Sequence, residues 1–460
     1  MIFKMKNLTK LLFAGIAILM ILSCDRDKDR PEKFSTMTVE ENKATVENTG
    51  IDLLGVLERL RATKTVEAAG NMIEITESGK SKGIKEFTGT GLFSIIKAVQ
   101  GAAGRTGQVN DVFEAVKGCT EEDPESIREF WDENVGTYTW NPSTGDFDTD
   151  LGGDKFIIKF PSSDVSTTND ATFTVYNYEG VKISNPLDEE YTGDLPVGLK
   201  ADLKLGTQTL VTFIFAASYN EDGVPNAIAA DLDIEGFKFE VDVSNNTEIV
   251  SASYKFLEKD EVIMNMSAKV NGLFTGDNID DNSVQHTDRW VCDWVWNPNT
   301  QDYDDIYCED TWEEVEFEEV AHTANAEFQL MNLAVRGEID IKNLVDKIRI
   351  IEDDYYEDEE IDEETYCDRM ADELNSYVNL RLVKIDNNEI IAKVEAYVIH
   401  DTDWEYEDYD LGFRLTFGEE SPIDMETYFE DGFDDFIDSL NDLLEDICND
   451  YDIDYDPIEY

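Results

Sequence analysis

Long runs in which apolar and polar residues alternate constrain the fold of this chain more than any other feature. The clearest runs are LKADLKL at 199–205, FKFEVDV at 237–243 and IMNMSAKV at 263–270. Successive side chains of a β-strand point to opposite faces, so each run makes a strand with one apolar and one polar face. Such strands are typical of an antiparallel sheet that is covered on one side. The middle of the chain is therefore predicted to be a meander of long hairpins.

The segments before and after this β region in the sequence have helical periodicity instead. Near the start of the chain, one apolar stripe consists of Leu53, Leu54, Leu57 and Leu60. Near its end, a second stripe consists of Phe429, Phe433, Phe436, Ile437, Leu440, Leu444 and Ile447. Both stripes are typical of amphipathic helices. The sequence thus predicts an α+β protein with a helical region over 37–132, an antiparallel β region over 133–289 and an α+β region over 290–460 that ends in an amphipathic helix.

A nine-residue motif occurs twice in this chain. WNPSTGDFD at 140–148 returns 156 positions later as WNPNTQDYD at 296–304. Each copy has turn-forming residues at its centre and aromatic residues on both sides, which predicts a strand, a turn and a second strand. The recurrence favours two related halves, beginning near 136 and near 292. The alternative is chance recurrence of a short hairpin.

Two cysteines flank the second copy of the motif. They are Cys292 and Cys308, and the matching positions of the first copy are Gly136 and Gly152. Replacement of both positions by the same small residue is what two positions facing each other across a hairpin would show. We therefore predict a Cys292–Cys308 disulfide, provided that the pairing brings the Cα atoms within about 4.4–6.8 Å.

The remaining cysteines leave further pairings open. Cys367 and Cys448 both lie on predicted helices, so a second disulfide between them is possible, although the sequence does not fix its connectivity. Cys119 has no assigned partner. Disulfides form in exported proteins, and export is what the N-terminus predicts.

The N-terminal residues have the features of an export signal. Lys4, Lys6 and Lys10 are followed by the unbroken apolar run LLFAGIAILMIL at 11–22. This run is too short to span a bilayer as a mature helix, and it fits the apolar region of a signal peptide. The run ends in the tetrapeptide ILSC at 21–24.

This tetrapeptide resembles the lipobox of bacterial lipoproteins, and the stretch DRDKDRPEKFS after Cys24 is similar to the surface-export signal of Bacteroidota lipoproteins. The resemblance implies that residues 1–23 are a removable signal peptide and that acyl chains on Cys24 hold the protein on a membrane without spanning it. Residues 24–36 are expected to be a flexible tether. The expected location is the outer membrane or the cell surface. A plain secretory signal with a chance cysteine is the alternative.

The chain is strongly acidic, with 103 acidic against 37 basic residues and a net charge of −66. Such a field repels nucleic acid, so we exclude nucleic-acid binding. The charge is explained by solubility in salty surroundings, and divalent-cation binding is the sharper alternative. The calcium candidate is DFDTDLGGD, whose acids are Asp146, Asp148, Asp150 and Asp154. We expect a solvated turn there, and we expect the acidic run at 352–364 to be a disordered loop.

Catalytic motifs do not stand out. His286, His322 and His400 are not at metal-ligand spacing, and there is no P-loop, nucleophile elbow or dinucleotide fingerprint. We expect a non-enzymatic, lipid-anchored envelope protein without a cofactor other than the calcium candidate. It acts by binding or as a structural component, and its protein, glycan or lipid partner is left open.

Two alternative functions follow from the same sequence. The first is a carrier for a hydrophobic ligand, held in a cavity between an open sheet and a helix. The second is a glycan-binding surface module, which needs sugar rings to stack on exposed aromatic residues. The candidate rings are Trp140, Trp294, Trp296 and Tyr303.

Overall fold

The computed structural model describes the following residues: 33–78, 127–183, 194–221, 223–275, 278–279, 282–297, 302–315, 317–357, 361–401, 408–418, 421–430, 439 and 441. The predicted signal peptide and Cys24 lie outside this part of the chain, as do residues 79–126 of the predicted helical region and most of the predicted C-terminal helix.

The described helices are α1 (Val39–Arg61), α2 (Lys64–Ser78), α3 (Ile127–Asn134), α4 (Phe317–Val320), α5 (Ile341–Glu352), α6 (Glu363–Tyr377) and α7 (Met425–Glu430). A π-helical turn covers Asp353–Glu357. The strands are β1 (Gly136–Asn141), β2 (Asp146–Leu151), β3 (Lys155–Phe160), β4 (Ala171–Lys182), β5 (Asp194–Leu205), β6 (Gln208–Tyr219), β7 (Pro225–Ile234), β8 (Phe237–Asn245), β9 (Ile249–Glu258), β10 (Glu261–Gly272), β11 (Ser283–Asn297), β12 (Asp302–Val315), β13 (Ala321–Leu330), β14 (Leu333–Asp340), β15 (Val378–Lys384), β16 (Ile390–Asp401), β17 (Asp408–Thr416) and β18 (Ile423–Asp424).

Sixteen of these strands form one sheet, and its strand order follows the chain almost throughout. Neighbouring strands are antiparallel except that β3 runs parallel to β1. Strand β10 pairs directly with β13, so β11 and β12 form a separate two-stranded sheet. The structure confirms the main prediction of a large, mostly antiparallel sheet with a few helices. The sheet continues across position 289, and the division into domains there stays a prediction.

Helix α1 crosses many strands because its apolar stripe is continuous. Near its start, Val39 and Val46 pack against Leu333 and Leu415 of β14 and β17. Near its end, Leu53, Leu57 and Leu60 join a cluster that contains Phe237, Phe256 and Ile263 of β8 to β10. A helix of 23 residues is about 35 Å long, which covers roughly seven strands at a spacing of about 4.8 Å.

Helix α2 covers the other half of the sheet. Its Ala68 and Met72 pack into the largest cluster, which includes Phe156, Phe173 and Phe213 from β3 to β6. The position of α2 is fixed by a turn of the sheet, since the Glu235 carboxylate accepts hydrogen bonds from the backbone N–H and the hydroxyl of Thr65, at 3.0 and 3.1 Å. A carboxylate at a helix N-terminus satisfies donors that have no partner within the helix.

The two ends of the large sheet differ. At one end, here called the turn end, two-residue connections join successive strands, as at Glu235–Gly236, Lys259–Asp260 and Met331–Asn332. At the opposite end, here called the insertion end, the chain makes long excursions. The β11–β12 hairpin leaves after β10, and helices α5 and α6 leave after β14. The excursions therefore share one end of the sheet.

Both copies of the repeated motif lie on pairs of antiparallel strands, as predicted, although the turn of the second copy, 298–301, lies outside the described residues. Trp140 pairs with Phe147, and in the same register Trp296 pairs with Tyr303. The first hairpin is part of the large sheet, whereas the second is a sheet of its own. The matching glycines do not face each other, because Gly136 pairs with Leu151. The expectation of two facing positions was wrong by one residue for the first copy.

Candidate binding surface

The calcium candidate lies at an edge of the large sheet. Asp146, Asp148 and Asp150 occupy alternate positions of β2, so neighbouring Cα atoms of this set are about 6.6 Å apart. Asp154 follows two glycines after the strand. Asp146 accepts a hydrogen bond from the N–H of Phe147 at 2.8 Å. In the described residues no group of three or more His, Cys, Asp or Glu side chains could hold a metal, and the calcium site stays a prediction.

The cysteine pair around the second motif can be placed only by strand register. Cys308 pairs with Trp290, and Cys292 lies two residues further along β11, at an irregularity between Val291 and Asp293. A disulfide requires the irregularity to bring the two Cα atoms within about 7 Å. The Cys292–Cys308 bridge stays a prediction.

The other cysteines and the glycan candidates are placed as follows. Cys367 of α6 is buried, and its thiol donates to the Tyr409 carbonyl at 3.3 Å. Cys119 and Cys448 lie outside the described residues, so the Cys367–Cys448 pairing stays a prediction.

Trp140 is half-buried, and its ring meets Phe147 edge-to-face at 5.1 Å within the core of the sheet. This packing explains the ring without a sugar ligand.

Three tyrosines at the insertion end are in mutual contact, and together they are called the tyrosine cluster. Tyr355 and Tyr356 belong to the π-helical turn, and Tyr366 belongs to α6. The centroid of Tyr355 is 4.6 Å from that of Tyr366 and 4.8 Å from that of Tyr356. Tyr356 stands at 75° and 69° to the other two rings, and it is 68% exposed. The cluster therefore presents an aromatic surface to solvent on a packed base.

The backbone around the cluster is ordered by helix ends. Asp353–Glu357 continues α5 as a π-helical turn, and Asp362 then caps α6 by accepting from the N–H of Thr365 at 2.9 Å. This cap, together with Glu363 and Glu364 in the first turn of α6, places negative charge where the helix dipole favours it. The expectation of a disordered loop was wrong for 352–357 and 361–364. Contacts with neighbouring helices outweigh the repulsion between the acids.

Charges around the cluster are mainly negative. Arg369 pairs with Asp354, with nitrogen and oxygen 2.6 Å apart. Burial, and then the charge of Glu363, raise the pKa of Tyr355. Burial also raises the pKa of Tyr366. The nearby carboxylate disfavours ionised tyrosine, so the same field would favour a cation beside the rings.

The sequence analysis did not predict this cluster, because the acidic residues around it indicated a disordered loop and the tyrosines among them were not considered. The available signal was the tyrosine pair inside the run EDDYYEDEE. A pair of large rings in a strongly charged segment indicates a local packing site, since a solvated loop does not need them. Tyr366 could not have been added from spacing alone, because a break in the helix separates it from the pair.

No helix of the described chain is long and apolar enough to cross a membrane. Comparisons with protein-family models, with curated proteins and with solved structures find no match for this chain. The arrangement of the tyrosine cluster suits non-covalent binding, because ring faces and carboxylates are recognition groups for cations and for the apolar faces of small molecules.

Proposed function

We propose that this chain is a lipid-anchored, exported envelope protein that acts by binding. Its α+β body carries helices on one face of the sheet, and its binding surface lies at the insertion end. The lipobox-like tetrapeptide that ends at Cys24 supports the anchor. The main support for the proposed orientation is that the N-terminal segment joins the large sheet at its turn end, through Phe34 and Ile390.

The segment that follows the tether is attached at the turn end. Phe34 forms a β-bridge with Ile390, the first residue of β16. The N–H of Ser35 donates to the Ile390 carbonyl at 2.7 Å, and the N–H of Ile390 donates to the Lys33 carbonyl at 2.9 Å. The Phe34 ring packs against Val383. The turn end is thus the end nearest to the predicted lipid.

Covalent geometry limits how far the body can stand from the membrane. Nine residue steps separate Cys24 from Lys33, and an extended chain spans at most about 3.6 Å per residue, or roughly 32 Å in total. The strands of the large sheet have up to 12 residues, which is about 40 Å. An anchor at Cys24 would therefore leave the insertion end directed away from the membrane and accessible to a partner.

The experiment tests the anchor and the direction separately. Cells producing the wild type and Cys24→Ala are labelled with a palmitate analogue, fractionated and treated with a protease. We expect label and membrane retention only in the wild type. Cleavage in intact cells would support outward display. A Cys24→Ala protein that stays on membranes, or a wild type without label, would overturn the proposal.

A second function, carriage of a hydrophobic ligand, is favoured by one specific observation. Met266, Phe328 and Val335 form a continuous apolar row across β10, β13 and β14, yet all three are half-buried. Helix α1 packs on one side of this row, at Met264, and helix α5 packs on the other, at Val270. These positions are about 20 Å apart along β10.

Helices about 10–12 Å across placed over those two positions leave room between them for an acyl chain. Native mass spectrometry and solvent extraction of purified protein test this function. A lipid that copurifies with the wild type would support a carrier if Val335→Trp loses it and the control Val181→Trp retains it. Val181 is an exposed residue of β4. Recovery of the wild type without lipid, together with no uptake of a fluorescent fatty acid, would exclude it.

A further inference from the structure

We propose that the tyrosine cluster is a docking surface for an arginine-bearing segment of a partner protein. This inference rests on the proposed function, in which the insertion end is the binding end, and it adds the chemistry of the partner. It is carried by three properties of the surface, which are the geometry of the rings, the surrounding charge and the state of the nearby basic residues.

The rings are held in place before any partner arrives. Tyr355 and Tyr366 lie against each other at 31°, and Tyr356 stands nearly perpendicular to both. Since Tyr356 is 68% exposed, part of its ring is open to solvent while its neighbours fix its orientation. Binding to a ring that is already ordered loses little side-chain entropy.

The surrounding charge selects a cation over a neutral ligand. Glu352 and Asp353 precede the rings, and Glu363 is close enough to raise the pKa of Tyr355. The whole chain adds a net charge of −66, which would steer basic partners towards it. A neutral sugar would gain nothing from this field.

The basic residues beside the cluster do not cancel the negative charge. Arg369 is bound to Asp354 at 2.6 Å, and Arg349 is bound to Glu318. The charges of Glu363 and Glu352 act on Tyr355 and Tyr366, so an incoming guanidinium can stack on a tyrosine face while it meets these carboxylates. Arginine suits this surface better than lysine, because its planar group is less strongly hydrated and stacks on aromatic faces.

The probe is N-acetyl hexa-arginine amide, titrated into the purified full-length protein at 0.15 M sodium chloride. We expect Tyr356→Ala to weaken binding about tenfold and Tyr356→Phe to change it less than twofold, because phenylalanine keeps the ring face. We expect hexa-lysine to bind about threefold more weakly than hexa-arginine. The charge of the protein is the same in both variants, and unchanged melting temperatures check folding.

A matched control separates docking from general attraction to an acidic protein. Asp148→Asn with Asp150→Asn removes two exposed charges at the far edge of the sheet, and we expect a change below twofold. Equal binding by Tyr356→Ala and wild type, or an equal loss in the edge variant, would overturn the proposal. A neutral hexasaccharide that binds at Tyr356 while the peptide does not would also overturn it. Failure of docking leaves the Cys24 fractionation unchanged, so the two proposals fail separately.

Discussion

At Gly136 the backbone of β1 passes so close to β2 that no side chain fits. A Cβ atom there would lie 2.6 Å from the Asp150 carbonyl oxygen and 2.8 Å from the Leu151 Cα. Gly152 has a different requirement, since its φ of 120° is one that residues with a side chain rarely adopt. The two glycines at the positions of Cys292 and Cys308 thus have separate causes. The sequence alone could not show whether glycine occurs at both positions for one shared reason or for two separate local reasons.

The first prediction tests the close approach at Gly136. Gly136→Ala should lower the free energy of unfolding by about 1–3 kcal/mol, because the backbone of β2 must move to admit the methyl group. Gly70→Ala is the matched control, since a Cβ at Gly70 of α2 meets nothing within 4 Å. The control should raise stability by about 1 kcal/mol. Urea denaturation measures both, and equal effects of the two substitutions would contradict the role of Gly136.

A buried tyrosine predicts sensitivity to alkali. Tyr428 is 3% exposed and packs against Phe417, and burial raises its pKa to about 12. The folded pKa lies above the unfolded value of about 10, so the stabilising contribution is complete below pH 10 and is lost as the pH rises towards 12. Between pH 9 and pH 11.5 we expect the wild type to lose about 1–2 kcal/mol more than Tyr428→Phe. Denaturant titrations at both pH values measure the free energy of unfolding. Equal losses of stability in the wild type and in Tyr428→Phe would contradict the role of the buried Tyr428 hydroxyl.

Among the elements, the β11–β12 hairpin differs most from its surroundings. Its strands have 15 and 14 residues, and among the described strands they are hydrogen-bonded only to each other. An isolated two-stranded hairpin is marginally stable in water. A covalent link within the hairpin would add to its stability.

The second motif therefore gives a prediction about that link. The Cys292–Cys308 bridge should appear as a linked peptide in a non-reduced digest, and it closes a loop of about 15 residues, so its loss should lower stability by about 3 kcal/mol. The double variant Cys292→Ser with Cys308→Ser should match the reduced wild type, and reductant should not affect it further. Recovery of both thiols unreacted from exported protein would refute the bridge.

Sequence patterns predicted elements better than the connections between them. The alternating runs at 199–205 and 237–243 are strands as expected, and the leucines of α1 mark the buried stripe of a helix. The pairing of β10 with β13 could not be predicted, because it omits 48 residues (273–320) and depends on the whole sheet. The tyrosine cluster was missed for a related reason, since its rings meet only after α5 and α6 pack together.

At the scale of the whole molecule, charge opposes compactness. With a net charge of −66, repulsion destabilises the folded state at low ionic strength. Salt shortens the range of this repulsion to about 10 Å at 0.1 M. Some basic residues of the described chain offset this repulsion locally through ion pairs such as Arg336–Glu327 and Arg59–Glu258, with atoms 2.7 and 2.6 Å apart.

The corresponding prediction concerns melting temperature. It should rise with sodium chloride, most steeply over the first few hundred millimolar, because screening acts on many charge pairs. Calcium at matched ionic strength should add only a small further increase. A large calcium effect that Asp148→Asn abolishes would instead establish the site at Asp146, Asp148, Asp150 and Asp154, and a melting temperature independent of salt would contradict the repulsion argument.

The attachment of Phe34 to Ile390 limits the order in which the parts of this protein can fold. Most strands pair with the strand made just before, so the sheet can grow one strand at a time as the chain emerges. The segment that emerges first is the exception. It must wait for a strand that begins more than 350 residues later, as the ion pair between Lys33 and Glu389 shows. Until then the first half of α1 has no surface to cover, and its apolar stripe stays exposed to solvent.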